Sequence, residues 1–189
     1  MNTYNMISTL LSLLCTSTFY SYASSSSSSS SFASRTKLPF TLGIRDSIMI
    51  AHSFHDNPAF GPAGNLHGAT YTCDIEFSAK SIHPTHNWVL DIGQASTIIK
   101  RVLKQYNYKN LDDIFVKDDA GNPIMTTTEF MARQIYLDIL KALKEDCVEF
   151  GDEKLDNNSD NDDDDVIHGR IKVKLWESHD AWASYEDEF

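Results

Sequence analysis

The sequence predicts an α+β fold: an antiparallel sheet with two helices packed on one face, in the order β-β-α-α-β. Three observations predict it. Residues 48–54 and 67–77 alternate apolar and polar side chains, the mark of half-buried strands. Two later stretches place apolar residues at helical spacing. A final alternation at residues 171–177 returns the chain to the sheet. Strands buried on one face only need helices on that face alone.

In the first strand Ile48, Ile50, His52 and Phe54 share a face. A Pro/Gly-rich loop leads to the second, where His67, Ala69, Tyr71, Cys73, Ile75 and Phe77 face one way and Thr70, Thr72, Asp74 and Glu76 the other. A short apolar run follows at residues 87–92. Asp91 and Gly93 then open a helix whose stripe is Ala95, Ile98, Ile99, Val102, Leu103 and Tyr106. The Asp-Asp-Ala-Gly-Asn-Pro cluster at residues 118–123 marks a turn. Thr126 and Glu129 are spaced as a capping box for the second helix, with Met131, Ala132, Ile135, Ile139 and Leu143 as its stripe. In the last strand Ile171, Val173, Leu175 and Glu177 alternate with Lys172 and Lys174. A further strand is expected near Asn87 or Tyr185.

The 189 residues allow one domain plus appendages. A formal charge of −11 argues against nucleic acid as a partner, because no basic stripe is available to displace phosphate counterions. Much of the excess lies at residues 151–165, too poor in apolar side chains to offset the entropy of ordering, so they are expected to form a disordered, solvated insertion. That run lacks the Gly and terminal Glu of a calcium loop. Cys15, Cys73 and Cys147 form no disulfide framework, and with no Cys-x-x-Cys a thiolate metal site is not expected. Cys73, on the buried strand face, reads as a small core hydrophobe.

Residues 1–40 are expected to be a targeting leader and serine-rich linker, and residues 41–189 the domain. The leader has no acidic side chain, an apolar run at residues 6–20 too short to span a bilayer, and serines at 24–31. A signal peptide fits the apolar run, although no Lys or Arg precedes it. A serine-rich organellar presequence is the rival, and Phe32 fits a two-part plastid leader. The mature protein is expected to be free of the membrane, in the secretory pathway or an organelle.

The candidate chemistry begins with His52 and His67. An imidazole among aliphatic neighbours on a sheet face is costly unless it is hydrogen-bonded or bound to metal. Two such rings meeting across an antiparallel pair begin a metal site. Glu177 permits two readings. Either the strand ends at Trp176 and Glu177 is solvated, or the carboxylate points inward and accepts paired N–H donors from a flat heterocycle.

Together these residues resemble the 6-pyruvoyl-tetrahydropterin synthase and 6-carboxytetrahydropterin synthase family. The landmarks are IAH at residues 50–52, LHG at 66–68, VLDIG at 89–93, KNLDD at 109–113, TTTE at 126–129 and WES at 176–178. The resemblance implies the tunnelling fold, and subunits assembled as a homo-oligomer, usually a hexamer, with active sites at subunit interfaces. It implies zinc at His52 and His67, a pterin ring anchored by Glu177, and a pocket lined by Thr126, Thr127 and Thr128. It also exposes departures. The third zinc histidine belongs two residues after His67, where this chain has Ala69. The proton-transferring cysteine belongs at Ala63, and an Asp-His pair at Asn107 and Tyr108. His55, His179 or a neighbouring subunit are the candidates to complete the metal set.

The resemblance therefore implies a zinc-dependent carbon–oxygen lyase acting on dihydroneopterin triphosphate or a related pterin. The alternative is a non-catalytic pterin-binding paralogue without the cysteine, the Asp-His pair and the third zinc ligand. A third reading, a secreted acidic interaction protein, rests on the leader and the Asp-rich run.

Overall fold

The computed structural model describes residues 37–154 and 169–189; the expected leader up to residue 36 and most of the acidic insertion lie outside the described residues. Strands β1 (Phe40–His52) and β2 (His67–Ala79) form a long antiparallel hairpin in which His52 pairs with His67 and Phe40 with Ala79. Helix α1 (Ile92–Leu103) follows, then the two-residue strand β3 (Lys109–Asn110), the single turn α2 (Leu111–Ile114) and helix α3 (Thr128–Glu145). Short strands β4 (Glu149–Phe150) and β5 (Glu153–Lys154) pair with each other. Strands β6 (Arg170–Trp176) and β7 (Trp182–Glu188) complete a five-stranded sheet in the order β3-β1-β2-β6-β7.

This is the expected α+β architecture, with both long helices on one face. Helix α3 packs on β6, β7 and α1, and α1 also packs on β1. Between sheet and helices lies one core that includes Ile48, Ile50, Tyr71, Cys73, Ile75 and Phe77 from the hairpin and Ile171, Val173 and Leu175 from β6. All of the expected stripe residues of both helices are buried in it. Burial pushes the Cys73 thiol up to about 12, so it stays a protonated, inert core side chain.

Several details differ from the sequence reading. Strand β1 begins at Phe40 rather than Ile48, because Leu42 and Ile44 extend the inward alternation and pack against the core edge. It ends at His52, and Phe54 reaches the core from a turn instead. The extra strand forms around Tyr185, whereas the Asn87 region is a turn. The sheet is antiparallel except at β3, which runs parallel to β1. The expected capping box does not form: Thr127, not Thr126, caps α3 by accepting from the Phe130 N–H, which puts Phe130 rather than Glu129 at the third helical position.

The expected start of α1 holds. Asp91 is its N-cap and accepts from the Gln94 N–H at 2.8 Å. Asp91→Ala is expected to cost about 1 kcal/mol, the usual value of a lost cap. Asp91→Asn should restore most of it, and thermal unfolding of the three proteins reads the difference.

Candidate functional site

The site sits at the mouth of the β1–β2 hairpin. His52 is the last residue of β1 and His67 the first of β2, so strand register places their rings side by side, with centroids 4.6 Å apart. The chain leaves β1 through a left-handed turn: Phe54, His55 and Asp56 have φ of 47°, 52° and 56°. Each such non-glycine residue costs roughly 1–2 kcal/mol, and strain of this kind concentrates at functional positions. The Asp112 carboxylate holds the turn's start, accepting from both the N–H and the hydroxyl of Ser53 at 2.7 Å. The turn drives the Phe54 ring against His52, 4.3 Å between centroids, and onto Phe60 at 4.2 Å. His52 is consequently fully buried, and His67 half-buried.

Both imidazoles are oriented from behind. His52 Nδ1 lies 3.1 Å from the Thr126 carbonyl oxygen, and His67 Nδ1 lies 2.8 Å from that of Asn65. A carbonyl oxygen only accepts, so each Nδ1 carries the proton. In the neutral rings both Nε2 atoms then present lone pairs, and they face each other at 3.1 Å. Protonating His52 is not the remedy, because burial, and then the neighbouring His67, push its pKa down. A cation between the two nitrogens satisfies both. Histidines that ligate metal almost always donate their other N–H to a carbonyl or carboxylate in this way. The residues present therefore fit a bound metal ion.

Among the described residues a third group converges on the pair. One ligand atom each of His52, His67 and Glu177 lie within 4.8 Å of one another. Glu177 follows the last residue of β6 and is exposed, as one of its two readings held. Its carboxylate nevertheless turns toward the site, where the Thr128 hydroxyl donates to Oε2 at 2.5 Å. Two imidazoles and a carboxylate make a familiar catalytic zinc set.

The three threonines of residues 126–128 have separate tasks. Thr126 is buried, with its carbonyl and its hydroxyl (3.2 Å) both on His52 Nδ1. Thr127 caps α3, and Thr128 holds Glu177. The start of α3 thus fixes one member of the histidine pair and the carboxylate together.

Other expected positions do not converge. Ala63 is exposed, within a 3-10 segment at Pro58–Gly64. The Asn107 side chain accepts from the Met49 N–H at 3.0 Å and so serves the backbone of β1. Tyr108 is exposed, with φ of 59°. His55 is partly buried on the left-handed turn, and His179 stands almost fully in solvent beside Asp180. Neither joins the candidate cluster of His52, His67 and Glu177 among the described residues. Ala69 occupies the face of β2 that carries His67, opposite Ile50.

A groove of about 540 Å³ adjoins Glu177, lined also by Arg45, Thr70, Thr72, Trp176, Ser178 and His179. Arg45 pairs across the hairpin with Asp74, bonding both carboxylate oxygens at 2.5 and 2.8 Å. The Trp176 indole N–H donates to the same carboxylate at 2.8 Å. The Arg45 hydrogen bond above all, with help from Trp176, holds the Asp74 carboxyl below its usual range. Lys174 lies 3.9 Å from the ring centroids of both Trp176 and Trp182. Sequence reading did not foresee this polar wall, although Arg45 and Asp74 both sit on the outward face of the hairpin. Nor did it give Asp112 a task, despite its place in the KNLDD landmark.

Comparison with known proteins bears on the family and the fold. A family model described as 6-pyruvoyl tetrahydropterin synthase matches residues 41–188. The structure of Caenorhabditis elegans 6-pyruvoyl tetrahydropterin synthase is similar at 18% identity and a TM-score of 0.55, covering 78% of this chain and 95% of that one. That of Plasmodium falciparum 6-pyruvoyl tetrahydropterin synthase is similar at 12% identity and a TM-score of 0.52, covering 79% and 98%. At such identities the likeness concerns the fold. No curated protein sequence matches the chain.

Proposed function

Since the chain belongs to the 6-pyruvoyl tetrahydropterin synthase family, we propose that it binds a reduced pterin beside a zinc site and acts as a carbon–oxygen lyase on the pterin side chain. The observation that carries this reading is the convergence of His52, His67 and Glu177, with both Nδ1 atoms committed to backbone carbonyls. His52 and His67 would hold the zinc, and bound zinc would supply Lewis-acid polarisation of a substrate oxygen.

The remaining tasks fall to the chain itself. Glu177, held by Thr128, offers a carboxylate that accepts paired N–H donors from a flat heterocycle. Burial of His52 behind Phe54 and Phe60 keeps water from its inner side. Dihydroneopterin triphosphate is the substrate that the family relationship suggests. Incubated with the zinc-loaded protein, it should release triphosphate and yield a new pterin absorbance. Absence of both defeats the lyase reading.

One observation favours a second reading, a pterin-binding protein without turnover. Ala63 has no proton to transfer, Asn107 is committed to the Met49 N–H, and Tyr108 faces solvent. In that case a pterin binds and is recovered unchanged.

A further inference from the structure

The family relationship gives Glu177 one task, anchoring the pterin, and leaves the metal short of a ligand where Ala69 stands. The geometry suggests that these are one problem. His52 and His67 are fixed by strand register and backbone carbonyls, so the missing donor must come to them. Ala69 lies on the correct face of β2 but carries no donor. His55 and His179 do not join the pair, and among the described residues the carboxylate of Glu177 does. Glu177 sits just beyond the end of β6, and its carboxylate already turns toward the pair. Thr128 occupies only Oε2, which leaves Oε1 for a second partner.

We propose that Glu177 is the third protein ligand of the metal, standing in for the histidine absent at Ala69. Metal ligand and pterin anchor are then the same carboxylate. This assignment rests on the reading of a metal-assisted pterin site and sharpens it: a pterin reaching Glu177 must draw the carboxylate away from the ion. The competition for Glu177 makes pterin and metal oppose each other's binding there, by the same factor in both directions, as linkage requires. With Glu177 withdrawn, the ion is left with two protein ligands and more open positions. A chain with a third histidine has no such competition.

Zinc affinity, measured by competition with a chromophoric chelator, tests this in the full chain without reference to turnover. The proteins are wild type, Glu177→Gln, Ala69→His and the double variant, with circular dichroism to verify folding. Glu177→Gln is expected to weaken zinc binding by at least about the 10–100-fold that losing even an outer-shell partner costs. Ala69→His in the Glu177→Gln background should bring it back to near the wild-type value. Added neopterin should weaken zinc binding in wild type and leave it unchanged in Ala69→His.

A Glu177→Gln protein with wild-type zinc affinity overturns the assignment. If that variant has also lost neopterin binding, the proposed function stands without it. A double variant as weak as Glu177→Gln alone also overturns it, since the lost group was then not replaceable as a ligand. Wild-type protein that takes up no zinc overturns both this assignment and the metal half of the proposed function.

Discussion

Replacing His52 with alanine is expected to strip the protein of bound zinc. The ring is the buried member of the pair, and its orientation is set by Thr126 rather than by the ion. Its loss removes a preformed donor and leaves His67 and Glu177 on the more exposed side of the site. The fall in affinity should exceed the ~10–100-fold that follows loss of an outer-shell partner. Metal analysis after gel filtration should find one zinc per subunit in wild type and essentially none in His52→Ala. The sheet should survive, because the Ile50–Ala69 pair and those before it do not depend on the ring. Zinc retained at the wild-type level would place the metal elsewhere.

The largest effect on stability should come from Phe77→Ala. Phe77 is fully buried in β2, the strand that pairs with both β1 and β6, and its ring meets Phe150 edge-on at 6.3 Å between centroids. Truncating a buried phenylalanine to alanine typically costs about 3–5 kcal/mol, transfer and cavity combined. Against a total stability of roughly 5–15 kcal/mol, that is a large share. Urea unfolding at constant slope should show the full loss in the midpoint. A change below about 1 kcal/mol would mean that the core collapses around the gap, contrary to the close packing described.

The parts of the fold that were legible in the sequence are those where burial dictates residue type. Ile98, Ile99, Val102, Ile135 and Ile139 mark two helix faces because water on one side and sheet on the other leave few alternatives. Strand β7 was legible only as an option near Tyr185. Of its residues only Ala183 is buried, so an edge strand with mostly polar side chains carries little alternation to read. The N-cap was misplaced by one residue because Thr126, Thr127 and Thr128 are interchangeable as text. Tertiary structure separates them, taking Thr126 for His52 and leaving Thr127 to cap.

In the candidate site the meeting of His52 with His67 was readable, since period two puts both rings on the inward face of adjacent strands. The approach of Glu177 was not. Alternation along β6 left two open readings, and the structure contains part of each: the strand does end at Trp176, yet the carboxylate turns back to Thr128. The left-handed turn at Phe54, His55 and Asp56 had no signal at all. None of these residues is glycine, and what imposes the conformation is the need to deliver Phe54 to His52 and Ser53 to Asp112.

The hairpin mouth has a consequence for how such a protein changes over time. His52 closes one strand and His67 opens the next, so residues 53–66 form an excursion that leaves and rejoins the sheet at a single rung. Residues inside that excursion can change while the rung stays pinned, because the pairs that precede it set the register. The two rings are thus held by the sheet and not by the loop that joins them, so a change of loop sequence is felt in the loop first.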